Sequence, residues 1–321
     1  MRGSMSTENS PDPTPALPEK PGRGKGFFAG IGAAVVAVVA AVVLVVVFTS
    51  GGGADSAGRT TVRIGVTDAS QDYWQTFTQL AADQGIDVKL VNFSDYTQAN
   101  PALSQGQLDL NEFQHILFLA NYNVSANDTL TPIGSTYVVP LSLYSRKHAT
   151  LADIPAGGTI AIPNDATNQG RALLVLQAAG LLHLRGGGTA LSTPAEIDEA
   201  TAKVKVTPID ASQTVTALPS VDAAIVNNNF ALDGGLDPSK ALFNDDPKSP
   251  AAEPYINAFV ARAADKDNPT YQKLVRIYRD PKVSGQVQAQ SKGTSVLVER
   301  PQADLESILA RLEQTVRAAK P

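Results

Sequence analysis

The chain has 321 residues, 43% hydrophobic and 18% charged, with a net charge of −5 and interspersed signs. That length suits two lobes better than a single core of average size, and without a basic patch a nucleic-acid partner is not expected. No cysteine occurs, which excludes disulfides, thiolate metal sites, a cysteine nucleophile and a lipid-modified N-terminal cysteine.

Residues 1–26 are polar and proline-rich and read as a disordered tail. Phe27 to Phe48 is an unbroken run of apolar residues and glycine, long enough to cross a bilayer as a helix. Lys20, Arg23 and Lys25 precede it, so the tail is expected in the cytoplasm and the rest of the chain outside, on a single-pass anchor. A cleavable signal usually has a shorter apolar core, and Asp55 fits a small-residue cleavage site poorly. Residues 49–60 form a linker.

Beyond the linker, strands and helices alternate. Thr61–Val66 reads as a strand, Tyr73–Asp83 as a helix, Ile86–Val91 as a strand, Pro101–Gln105 as a short helix, Leu108–Leu110 as a strand and His115–Tyr122 as a helix. That order is the signature of a parallel α/β sheet. Leu130–Ser145 is β-prone but holds Pro132 and Pro140, so it reads as two strands, the second crossing into another lobe. Thr159–Ile162, the helix behind it, Val204–Ile209, a helix near Ser212–Leu218 and Ala223–Val226 repeat the α/β pattern. Tyr255–Ala261 is expected to return as a strand to the first lobe. Asn268–Ser291 reads as helix broken near Pro281, and Leu305, Ile308, Leu309, Leu312 and Val316 share one face of a final helix. The expected fold is α/β and bilobal: lobe 1 from residues 61–143 and 254–321, lobe 2 from residues 144–253, with a ligand cleft at the strands' carboxyl ends.

Several apolar runs end abruptly in polar groups. Thr159–Ile162 gives way to Pro163-Asn164-Asp165 and then to a helix opening with Thr167-Asn168. Thr167 and Asn168 suit capping, and the helix N-terminus attracts anions. Arg171, expected in the first turn, opposes the helix dipole. It suits a bound carboxylate, or a surface pair with Asp165. Ala223–Val226 ends in three asparagines beginning with Asn227, a turn or a site. Asn257 falls in an apolar stretch, where an amide needs a partner, either a ligand or a neighbouring loop. Phe113, His115 and Phe118, joined by Tyr96, either present aromatic surface to a ligand or fill the core.

These segments in order, FSDYTQAN, LDLNEFQH, TYVVPLSLYSRK, IPNDATNQGRALLVLQ, AAIVNNNF and EPYINAFV, resemble the NlpA/MetQ family of methionine-binding lipoproteins of ABC importers, over roughly residues 61–298. The resemblance implies a periplasmic-binding-protein-like fold. It implies a methionine carboxylate held by Arg171, amino and carboxylate groups held by Asn227 and Asn257, and a thioether among Tyr96, Phe113, His115 and Phe118. It implies L-methionine or a related amino-acid ligand, a permease and a separate ATPase subunit as partners, and no cofactor. Two departures stand out. The lipid-anchoring cysteine is missing, with the apolar span in its place, and Phe118 stands where relatives often have tyrosine. The alternatives are a binding protein for another amino acid or short peptide, and a cell-surface adhesion or scaffold protein. The nucleophile-elbow, zincin and P-loop motifs are absent, so no enzyme is expected, and no histidine or carboxylate cluster with zinc-ligand spacing is evident.

Overall fold

The computed structural model describes residues 59–319. The expected tail, the Phe27–Phe48 span and most of the linker lie outside the described residues, among which no helix is long and apolar enough to cross a membrane.

Two five-stranded sheets organise the chain. The first runs in the order β2-β1-β3-β11-β4, built from β1 (Thr60–Val66), β2 (Ile86–Asn92), β3 (Leu110–Asn111), β4 (Thr131–Ser135) and β11 (Ala258–Ala261). β1 pairs in parallel with β2 and β3, whereas β11 runs antiparallel to both β3 and β4. The second runs β10-β6-β9-β7-β8, from β6 (Ser142–Tyr144), β7 (Gly158–Pro163), β8 (Val204–Ile209), β9 (Ala223–Val226) and β10 (Phe243–Asn244). Here β7 is parallel to β8 and β9, β6 runs antiparallel to β9, and β10 runs antiparallel to β6. Both sheets are therefore mixed, not purely parallel as the strand–helix alternation suggests. β6 and β11 each arrive directly from the other half of the molecule, without the helical crossover that enforces a parallel neighbour.

Helices cover both faces of each sheet, which is why most of these strands are apolar along their length. On one face of the first sheet, α1 (Asp72–Asp83), α7 (Pro269–Tyr278) and α8 (Pro281–Gln290) bury Trp74, Phe77, Phe259 and Tyr278 in one cluster. On the other, α2 (Tyr96–Ser104), α3 (Ile116–Ala126) and α9 (Gln302–Ala319) share a second cluster. The final helix buries Leu305, Ile308, Leu309, Leu312 and Val316, the face its spacing predicts. Asn123 also donates to Glu313 on it at 2.9 Å. The second sheet is packed against α4 (Ala166–Ala178) on one side and against α5 (Thr214–Ala217) and α6 (Asn228–Asp233) on the other.

Three local expectations need correction. The Leu130–Ser145 stretch forms three short strands, not two: β4, then β5 (Tyr137–Val138), which pairs with β12 (Val296–Leu297), then β6. Tyr255–Ala261 is strand only from Ala258. Pro250 and Pro254 hold residues 250–255 in a 3₁₀ turn, and Asn257 follows it as an isolated bridge to His115. The second helix starts at Tyr96, well before Pro101, because the Asp95 carboxylate caps the Thr97 N–H at 2.8 Å.

Candidate functional site

A cleft of about 880 Å³, counted out to its open mouth, lies between the two sheets. All seven residues singled out from the sequence line it: Tyr96, Phe113, His115, Phe118, Arg171, Asn227 and Asn257.

Arg171 comes from α4. The Asp165 side chain caps this helix, accepting from the Asn168 N–H at 2.9 Å. Thr167 and Asn168 are thus inside the helix and not its caps, and Arg171 lies in the second turn, away from the dipole's strongest region. The guanidinium is 4% exposed and does not pair with Asp165. Its Nε donates to Asp245 at 2.6 Å and its Nη2 to Asp245 at 3.1 Å and to the Val139 carbonyl at 2.8 Å. The carbon of the guanidinium is 4.1 Å from the centre of the Tyr255 ring, a cation–π stack. Nη1 has no partner among the described residues and remains available to an anion.

Asn227 follows β9 and opens α6 without capping it. Its Nδ2 donates to Asn168 Oδ1 at 3.0 Å, while its own Oδ1 is buried without a partner. Asn257 is 8% exposed. Its side-chain amide holds the carbonyls of Tyr137 and Tyr255, both at 3.3 Å, so it does hold a neighbouring loop, and no partner among the described residues occupies its Oδ1.

The aromatic residues are a wall, not core. Phe113 and Phe118 are only partly buried, with ring centres 5.8 Å apart and edge-to-face. Tyr96 stands 6.0 Å from Phe113 and 6.1 Å from Phe118. A network beneath fixes the segment that carries Phe113 and His115. Gln114 and Asn111 both donate to Asn100 Oδ1, at 2.6 and 2.9 Å, and Asn100 returns a bond to Gln114 at 2.7 Å. His115 caps α3, its Nδ1 accepting from the Phe118 N–H at 3.0 Å. That leaves the proton on Nε2, which is buried without a partner. Burial, reinforced by the charge of Arg171, pushes the His115 pKa down to about 3, so the ring is a neutral donor.

Sequence reading missed several residues. Asn168 and Asn229 belong to the cleft. Asn229 accepts from the Tyr96 hydroxyl and donates to Thr67 Oγ1 at 3.3 Å, bridging the two halves. Phe230 from the second half stacks on Tyr96 at 5.1 Å. The run of three asparagines was the available signal. Asp68 and Glu112 also line the cleft. Glu112 is 1% exposed; burial, with Asp68 nearby, raises its pKa to about 8. Nothing in the sequence distinguished these acids from surface ones.

Comparison with known proteins fits this arrangement. D-methionine-binding lipoprotein MetQ of Escherichia coli is 34% identical over 238 residues, 73% of this chain and 86% of its own. The substrate-binding protein of a methionine transporter from Streptococcus pneumoniae superposes with a TM-score of 0.70 at 37% identity, over 75% of this chain and 96% of that one. A nutrient-binding protein from Burkholderia cenocepacia, whose structure is bound to methionine, gives 0.69 at 36% identity, over 74% and 99%. The family model described as NlpA lipoprotein matches residues 62–298. The chain therefore belongs to the NlpA lipoprotein family, a family of substrate-binding proteins of ABC transporters and not of enzymes.

Proposed function

We propose that this protein captures methionine, or a close analogue, outside the membrane and delivers it to an ABC permease driven by a separate ATPase chain. One observation carries the reading: a buried arginine with a free Nη1 shares a cleft with unpartnered amide and imidazole groups and an aromatic wall. A zwitterion with a thioether tail needs such a set. Arg171 Nη1 holds the carboxylate, with Asp245 and Tyr255 fixing the guanidinium. Asn227 and Asn257 offer carbonyl oxygens to the ammonium. Tyr96, Phe113, His115 and Phe118 take the thioether, which packs well on ring edges.

Residues 61–143 with 254–321 act as one lobe and residues 144–253 as the other, closing on the ligand. The Phe27–Phe48 span serves as the tether in place of a lipid. Relatives whose names and structures refer to methionine support the ligand assignment. Calorimetric titration with methionine tests it. The intact protein should bind one equivalent, and Arg171→Ala should weaken binding by about tenfold or more, as expected for the loss of a charged hydrogen bond. An unchanged dissociation constant would remove the carboxylate assignment.

A further inference from the structure

Three side chains of ordinarily charged type are found among the lining residues of the cleft: Arg171, Asp68 and Glu112. Arg171 is already matched by Asp245, which does not line the cleft. The two remaining acids have no ion pair with any cation among the described residues. Glu112 adjoins Phe113 in the chain. Asp68 adjoins Thr67, which Asn229 ties to the hydroxyl of Tyr96. Both acids line the same cleft as Tyr96, Phe113 and Phe118, and Asp68 is close enough to help raise the pKa of the Tyr96 hydroxyl.

Their hydrogen bonds are incomplete. Glu112 Oε1 accepts from the Thr136 hydroxyl at 2.8 Å, but Oε2 is buried with no partner among the described residues. Asp68 accepts from the Tyr73 hydroxyl at 2.6 Å and the Trp74 indole N–H at 2.9 Å, one bond to each oxygen, so each keeps a second acceptor position. A buried polar atom left without a partner is costly, and neutral methionine sulfur offers it no charge and only a weak acceptor. Aromatic faces backed by carboxylates attract a cation that is only weakly hydrated.

We propose that Asp68 and Glu112, with Tyr96, Phe113 and Phe118, form a seat for a positive charge at the end of the ligand side chain, so that the cleft prefers a sulfonium amino acid to its uncharged thioether. This rests on the reading of Arg171 as the carboxylate anchor. A cation in the seat also supplies the counter-charge that Glu112 lacks, drawing its proton off as the ligand binds. The charged and titratable groups around Glu112 are Asp68 and the hydroxyls of Tyr73, Tyr137 and Tyr278, none of them a cation.

S-methylmethionine and methionine differ by one methyl group and one charge, which makes them a matched pair. Both are titrated calorimetrically into the full chain, the near-isosteric Glu112→Gln variant and Asp68→Asn. The wild type should favour S-methylmethionine by about tenfold, on the scale of one charge-assisted contact. That preference, read as the ratio of the two dissociation constants within each protein, should fall in both variants. Methionine binding with no preference for the sulfonium, or a preference surviving in both variants, overturns the cation seat and leaves the methionine site standing. Folded wild-type protein that binds neither compound removes both readings.

Discussion

His115 shows how a single side chain can couple the site to stability. Its pKa in the folded protein is about 3, against 6.5 for an unperturbed imidazole. As pH falls through that interval the unfolded chain takes up the proton first, so the unfolded state is favoured. The contribution is fully present above about pH 6.5 and is lost progressively toward pH 3. Urea unfolding followed across this range should show a loss of stability that is shallower in His115→Asn. Equal slopes in the two proteins would mean that carboxylates alone set the acid limit. At this scale Arg171 stood out as an arginine soon after a strand-to-helix corner, with a bound carboxylate and a surface pair with Asp165 both open, and its burial against Asp245 removes the second reading. Its partner Asp245 was not legible, since it is 74 residues further along the chain and only the tertiary fold joins them. The same holds for Glu112, which is buried and bonded to Thr136, 24 residues away in the chain.

Among elements, α4 repays the closest reading. Its sequence begins at the corner that raised the question of a site, and its first residue, Ala166, falls one position before the Thr167 opening that the pattern predicts. The pattern could not reveal why Gly170 stands one residue before Arg171. A glycine in a helix interior normally costs about 1 kcal/mol relative to alanine. Here a Cβ would press on the backbone of Ala190 and Leu191, which cannot rotate away as a side chain could. Gly170→Ala should therefore lower the melting temperature, opposite to the propensity rule, and weaken ligand binding by displacing Arg171. A raised melting temperature would show that the 190–191 loop yields freely. Elements with strong periodicity, such as α9 and β8, were readable from sequence. Tyr255–Ala261 was misread because apolar content alone cannot tell a strand from a proline-held 3₁₀ turn.

At the level of the whole molecule, the alternation of strands and helices pointed to α/β architecture, while the direction of the crossing strands did not follow from it. The two halves meet at polar side chains around the cleft. Asp233 accepts from Gln71 at 3.0 Å and from Ser70 at 3.4 Å, and Lys292 pairs with Asp237 at 3.1 Å. Such exposed bonds are individually weak, which suits contacts that must form and break at each cycle of capture. Asp233→Ala should speed methionine release about two- to fivefold, a change of less than 1 kcal/mol, with little change in the rate of capture. Stopped-flow displacement reads this directly, and an unaltered release rate would assign closure to the Tyr96–Asn229 bridge instead.

The place of β11 has a further consequence, for the order in which the molecule can be made. It fills the gap between β3 and β4, yet it is the last strand of that sheet to leave the ribosome. While residues 112–257 emerge, β3 and β4 have no bridge between them, and the first sheet stays in two pieces. The second sheet draws all its strands from one continuous stretch, Ser142 to Asn244, and needs nothing that comes later. During synthesis the half that carries Arg171 can close its sheet before the half that carries the aromatic wall.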